Sequence, residues 1–459
     1  MLNRLFGPNT HTFLHVLGLC GIASGIPFNK VVMSVSMLFI VLNLLLEANF
    51  KSYWSNIKSN KIYWLIFAFF GLHVIGVLWS TNLTEAFHDL KVKLPLLVIP
   101  TILAAKPLLV KKHLNTILAC FVLSTLLISF INFALYQHWI GDVEYADIRG
   151  MSMFSSHVRF ALLISMAAAI LLSFMARYRN LFQLTIVGVV VWFTFYTFYS
   201  QVITGVLTLS GVFVFFVTVY FWKRNKAIAI SFFSVITVSS ISLIIWLFTP
   251  IIVNPADYTN LAEFTKEGNP YKHFFDFVSP ETGKPIYLYI CEEELDRDWQ
   301  NYSTLSIHGN DKKGQPIKQT AIRYLASMDL TKDAVGLSKL TQKDISNIEE
   351  GNASSKNYGI MVRLYGIKYQ LNNESNPNGH SLLERIEYWT AGIDILSSNY
   401  LTGVGTGDVQ DTFNSYYIEN NSPLTPENRH RAHNMYLTIF LTFGILGISL
   451  FIWMHIGHQ

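Results

Sequence analysis

Val202-Ile-Thr-Gly-Val-Leu-Thr-Leu-Ser-Gly-Val-Phe-Val-Phe-Phe-Val-Thr-Val-Tyr-Phe221 is a run of 20 residues without a formal charge. After Trp222-Lys-Arg-Asn-Lys226 a second run, Ala227 to Ile251, continues uncharged for 25 residues. Each run is long enough to carry a helix across a hydrocarbon core of about 30 Å. The three cations between them, Lys223, Arg224 and Lys226, mark a turn of the kind kept on the inner side of a membrane.

Working outward from this pair, the same pattern recurs. Spans are expected near 12–28, 31–48, 62–80, 94–110, 113–135, 157–176, 181–199, 202–221, 227–251 and 435–454. The run at 94–110 is the most interrupted, by Pro95, Pro100 and Lys106. The composition agrees: 51% of residues are apolar and 14% charged, well under the roughly 25% charged share of a soluble domain. The fold class is therefore an all-α polytopic membrane protein with about ten transmembrane helices.

Loop charges set the orientation. With the N-terminus inside, the inner loops carry Arg4; Lys51, Lys58 and Lys61; Lys106, Lys111 and Lys112; Arg177 and Arg179; and the basic turn at 223–226. The short outer loops hold Lys30, Lys91, Lys93 and Arg149, diluted by Glu85, Asp89, Asp142, Glu144 and Asp147. Residues 1–251 thus form a bundle of about nine helices, 252–433 a large outer segment, and 434–459 a tenth helix returning inward. The net charge of +4 comes mainly from the inner loops and requires no nucleic-acid partner. No cleavable signal peptide is read at the N-terminus. Cys20, Cys120 and Cys291 offer no pair within the outer segment.

The outer segment is polar and rich in turn formers. Helices are expected at 319–329, 341–350 and 358–370, and a strand at Pro285-Ile-Tyr-Leu-Tyr-Ile290. A further helix begins with the capping box Ser381 and Glu384, and Leu382, Ile386, Trp389, Ile393 and Leu396 share one apolar face. Arg385 borders that face, and Trp389 reads as an interfacial anchor. The glycine run Gly403-Val-Gly-Thr-Gly407 follows a helix, not a strand, so it is no dinucleotide fingerprint. It is either a turn or a backbone cradle for phosphate. Arg431-Ala-His433-Asn434 stands at the mouth of the last span. His433 is open to two readings, a helix-boundary residue or a reactive imidazole, and Arg385 to two, a snorkelling anchor or a phosphate ligand.

Taken in order, these residues resemble a known family. Arg385-x-x-x-Trp389, Gly403-Val-Gly-Thr-Gly-Asp408, Ala432-His433-Asn434-Met-Tyr-Leu and Phe443-Gly-Ile-Leu-Gly447 are similar to the O-antigen ligase and O-antigen polymerase superfamily. Asp89-Leu-Lys-Val-Lys-Leu-Pro-Leu and Ser156-His157-Val-Arg159-Phe fit the same pattern, and the versions Gly405-Thr-Gly-Asp408 and His157-Val-Arg-Phe160 are similar to sequences typical of Bacteroidetes. The resemblance implies a GT-C-like membrane glycosyltransferase of the bacterial inner membrane with a large, mainly helical periplasmic loop. It implies transfer of a glycan from undecaprenyl diphosphate to an acceptor on the periplasmic face, without metal or other cofactor. The acceptor is lipid A-core for a ligase, or another glycan unit for a polymerase.

By the same resemblance the catalytic base falls on His433 and the diphosphate-binding arginine on Arg385. Arg159, Arg431, Lys91 and Lys93 are further candidates for phosphate. The chemistry agrees: a sugar hydroxyl needs a base of near-neutral pKa, and a diphosphate leaving group needs fixed cations. Two departures stand out. Gln201 and its neighbours occupy the place of a family arginine, whose charge Arg159 or Arg431 is expected to replace. The chain also ends at Gly457-His-Gln459, where members continue through further helices, so a truncated form is expected. A transporter or ligand sensor is the reading from another class. It is disfavoured by the lack of repeated halves and of a cytoplasmic effector domain.

Overall fold

The computed structural model describes residues 7–108, 110–145, 148–175, 181–356, 358–373 and 376–456. Arg4, Asp147, Arg177, Arg179 and the terminal Gly457-His-Gln459 lie outside the described residues. In chain order the helices are α1 (Pro8–Phe28), α2 (Lys30–Glu47), α3 (Phe50–Ser59), α4 (Lys61–Ile75), α5 (Leu83–Lys93), α6 (Pro95–Ala105), α7 (Lys111–Tyr136), α8 (His157–Met175), α9 (Leu181–Tyr199) and α10 (Ile203–Arg224). There follow α11 (Lys226–Phe248), α12 (Glu292–Asp298), α13 (Ile317–Ser327), α14 (Ala334–Ser338), α15 (Gln342–Glu349), α16 (Met361–Asn373), α17 (Ser381–Asn399), α18 (Val409–Glu419) and α19 (Met435–Ile456).

The protein is an all-α polytopic membrane protein: among the described residues nine helices are long and apolar enough to span a bilayer. The run expected at 94–110 is not one of them. Its helix, α6, has 11 residues, which at 1.5 Å per residue reach only about half of a ~30 Å core. One residue, Leu94, separates α6 from α5, and its φ of −51° and ψ of −36° are helical. Pro95 lacks an N–H and so interrupts the hydrogen-bond ladder there. Lys91 and Lys93 therefore sit on a helix and not in a loop.

The chain divides into two compact units, residues 1–123 with 375–459, and residues 124–374. In the first, α1 and α2 form a tight hairpin. Gly18, Gly21 and Gly25 let the backbones approach, because a side chain there would strike Ile40, Ser36 and Met33. α4 packs against α19, with Phe69 on Phe451 and His73 on Phe443.

In the second unit α8 and α10 meet through Gly205, set against Ala161, and through the Ser165–Thr208 hydroxyl pair at 2.8 Å. Its polar part, from residue 262 on, closes over a core containing Leu295, Trp299, Ile317, Leu325 and Ile345. The expected helices appear there as α13, α15 and α16. The expected strand at Pro285–Ile290 does not form a ladder. The segment pairs only through isolated bridges, Lys272 with Ile290 and Val278 with Pro285 on one side and Ile290 with Lys332 on the other. The alternating apolar pattern is real, but a single irregular hairpin leaves too few consecutive bonds for a sheet.

α19 is broken in its middle, where Gly444 takes φ +60° and ψ −155°. The break releases the carbonyls of Leu441 and Thr442, which the 403–407 loop recovers: Val404 N–H donates to Leu441 O (2.8 Å) and Gly405 N–H to Thr442 O (3.0 Å). Ile445 N–H, freed on the other side, donates to Tyr400 O (2.9 Å). A membrane helix cannot leave backbone groups unpaired in an apolar setting, so the loop serves as a splint. Gly403, at φ +69°, lies so close to the Thr442–Phe443 peptide that a side chain would overlap it.

Candidate active site

The site is built on the first unit, where α17 and α18 pack against α19 around Tyr388, Ala391, Phe413, Tyr417, Ala432 and Leu441. α17 begins at Ser381, but its N-cap is His380, without a side-chain cap bond. The expected capping box is therefore displaced: the Glu384 carboxylate accepts from Gly379 N–H at 2.9 Å, outside the helix. The face predicted to be apolar is the open one, with Ile386, Trp389 and Ile393 exposed. The protein packs the neighbouring stripe of Tyr388, Ala391, Gly392 and Ile395 instead. Gly392 is chosen by space, since a side chain there would meet Leu437 of α19.

The segment from 425 to 434 carries the imidazole and has little structure of its own. Side chains from the two helices below hold its carbonyls. Tyr388 donates to Asn428 O (2.7 Å), Trp389 Nε1 to Ala432 O (2.9 Å), Tyr417 to His430 O (2.8 Å) and Gln410 to Arg429 O (3.1 Å). Trp389 is thus more than an interfacial anchor, since it fixes the residue next to His433. Burial pushes the Tyr388 phenol up to about 12, so it remains a donor at neutral pH. Ala432 is fully buried between half-buried Arg431 and exposed His433, so it pins the loop and turns its neighbours outward.

His433 has φ +48°. A left-handed conformation at a residue with a side chain costs ~1 kcal/mol. Here it reverses the chain into α19, whose first N–H groups are capped by Asn434: Oδ1 accepts from Tyr436 (3.0 Å) and Leu437 (3.3 Å). Asn434 is therefore the cap, and His433 is free of that duty. Its ring lies 5.6 Å from Tyr388 and 5.8 Å from His430, centroid to centroid.

The His433 side chain is exposed at its edge but loses part of its water against Tyr388 and His430. This desolvation, first, then the charges of His430, Arg385 and Arg431 lower its pKa from the ordinary histidine value, with Glu384 opposing weakly. The fold thus brings together three sequence candidates, Arg385, Arg431 and His433, from two elements. The half-buried Arg385 guanidinium makes no hydrogen bond or ion pair among the described residues, and neither does that of Arg431.

The remaining candidates are placed differently. Lys93 is ion-paired with Asp89 one turn before it and faces His73; Lys91 is exposed on α5. Neither is among the groups acting on His433. Arg159 belongs to the second unit, exposed on the first turn of α8.

The glycine run is the turn, not the cradle. Every N–H from Gly403 to Gly407 already donates within the protein, to Asn399 O, Leu441 O, Thr442 O, Gly76 O and the Ser80 hydroxyl. The following Asp408 accepts from Thr81 and Asn82 N–H at 2.8 to 3.0 Å and so anchors the start of α5.

Sequence reasoning did not assign His430, Tyr388, Tyr417 or Gln410. Tyr388 was within reach, because it lies three residues after Arg385 on the same side of a helix. The contacts of Tyr417 and Gln410 with a loop a dozen or more residues ahead left no local pattern.

A depressed histidine on the acid limb has a definite sign. Neutral imidazole is the basic form, so activity should fall as pH drops through a value below about 6.5. Arg431→Gln removes a cation that opposes protonation, so the limb should move to higher pH. Initial rates measured across pH for both proteins test this. An unmoved limb in the variant would separate Arg431 from the imidazole.

Residues 347–452 match the family model described as O-antigen ligase, which includes α17, the glycine loop, Arg431, His433 and nearly all of α19. No curated protein and no solved structure matches the chain. The match over residues 347–452 supports an assignment to the O-antigen ligase superfamily.

Proposed function

We propose that the protein is a membrane glycosyltransferase that moves a glycan from undecaprenyl diphosphate to an acceptor hydroxyl on the periplasmic face, with lipid A-core as acceptor. The observation that carries this reading is the exposed His433, whose pKa is lowered by Arg385 and Arg431 among its neighbours, within the region that matches the O-antigen ligase model. His433 takes the acceptor proton as the hydroxyl oxygen attacks the anomeric carbon. The bond to the phosphate oxygen breaks, and the departing diphosphate is held by the two guanidinium groups. A single displacement inverts the anomeric centre, and the arginines take the role that a divalent ion has in other glycosyltransferases.

The same site serves polymerisation when the acceptor is another lipid-linked glycan. Deleting the gene and separating lipopolysaccharide on a gel decides between them. A ligase leaves lipid A-core bare while lipid-linked chains accumulate. A polymerase leaves lipid A-core carrying a single unit, and unchanged lipopolysaccharide would overturn both.

The outward-facing site rests on the basic inner loops together with one crossing made by α5 and α6 in series, which returns Lys106, Lys111 and Lys112 to the inner side and keeps the alternation of the later loops. A reporter that needs the periplasm should be active when fused near residue 300, and one that needs the cytoplasm when fused after residue 226. The reverse pattern would put His433 on the wrong side for the donor.

A further inference from the structure

The polar part of the second unit contains a cavity of about 510 Å³ that the His433 site does not use. That size is within the ~300 to 1,000 Å³ of small-ligand sites. Its floor is the domain core, formed by the buried Ile290, Ile307 and Ile322. Its walls are aromatic. Phe277 and Tyr287 meet edge to face at 5.7 Å, and Phe274 stands at the rim with 51% of its surface open.

These rings are held rigidly although no strand forms. Phe274 N–H donates to Tyr287 O (3.0 Å), Ile286 N–H to Phe277 O (2.8 Å), and Lys272 and Ile290 exchange both bonds. The irregular hairpin from 272 to 290 thus presents its rings from a paired backbone.

The polar rim divides into two kinds of group. Glu292 is already neutralised, by Lys318 at 2.9 Å and Lys272 at 3.3 Å, and Lys318 also reaches Asp296 at 3.0 Å. This bridge closes one side and leaves neither Lys272 nor Lys318 unpaired there. The Asp276 carboxylate and the Gln319 amide also line the cavity and make no side-chain hydrogen bond among the described residues. Together they offer acceptors and a donor above the ring faces.

We infer that this cavity is a second glycan-binding site, which holds a short stretch of saccharide chain away from the reacting sugar. A pyranose has an apolar C–H face and a ring of hydroxyls at its edge. The exposed Phe274 ring, with Phe277 and Tyr287 beside it and an uncommitted carboxylate and amide at the rim, complements both, whereas an anionic ligand finds Lys272 and Lys318 already paired. The choice of saccharide as ligand class rests on the glycosyl-transfer reading, but the binding itself does not depend on turnover.

The test uses the full chain in lipid nanodiscs and saturation-transfer NMR. The probes are lipid-free neutral oligosaccharides of hexoses and N-acetylhexosamines, with a mixed-sequence peptide as competitor. Binding of at least one oligosaccharide is expected at millimolar concentration. Phe274→Ala should weaken it roughly tenfold, and Phe274→Trp should keep it, because the ring face is what stacks. His433→Ala should leave this binding unchanged, so failure here and failure of the transfer reading are told apart. Binding of the peptide alone, of no oligosaccharide, or equal binding by Phe274→Ala would overturn the proposal.

Discussion

His433→Ala should lower glycan transfer by roughly 10²- to 10⁴-fold, the usual contribution of a positioned general base. The expected loss is in turnover, because the acceptor hydroxyl no longer has a base, while the donor remains held through Arg385 and Arg431. Stability should change little. The ring is exposed, its backbone strain does not depend on the imidazole, and Asn434 still caps α19. The measurement is transfer by purified protein from a lipid diphosphate donor, with donor binding followed separately. Retention of wild-type rate would move the chemistry away from this loop.

Arg385→Ala should cost roughly 10²-fold or more, in line with removal of one donor that stabilises charge developing in a transition state. Insertion and yield should be unaffected, since the guanidinium supports no other group among the described residues. Lysine should restore little. Its ammonium is a point charge and cannot bind two phosphate oxygens as a planar fork does. Full activity of Arg385→Ala would leave this residue only as an anchor at the lipid boundary. Equal rescue by lysine would show that charge alone is needed there.

Much of the architecture was legible without coordinates because crossing a membrane is a local requirement. Each span must supply its own ~20 apolar residues and satisfy its own backbone, so α10 and α11 can be read directly from 202–221 and 227–251. The elements of the candidate site were legible for a related reason. Arg385 and His433 stand out as ionisable residues near apolar runs, and both lie within the residues 347–452 that match the O-antigen ligase model.

Tertiary structure decided what depended on residues distant in sequence. The apolar stripe of α17 from Leu382 to Leu396 leaves open whether that face rests on the bilayer or on the bundle. The presence of Gly392 against Leu437 turned the neighbouring stripe inward, because only that side allows α19 to approach. Lys91 and Lys93 look like free loop cations until α5 and α6 align end to end and Asp89 pairs with Lys93. The glycine run kept two readings open because a phosphate cradle and a backbone splint require the same residues. Only the break at Gly444, about forty residues later, supplies the carbonyls that claim its N–H groups. Sequence alone determined nearly all of the segments long and apolar enough to enter the membrane, since that follows from local composition, and it named candidate site residues through their resemblance to a family. The geometry that joins Arg385, Arg431 and His433 was decided by long-range hydrogen bonds from Tyr388, Trp389 and Tyr417, whose partners no local pattern can specify.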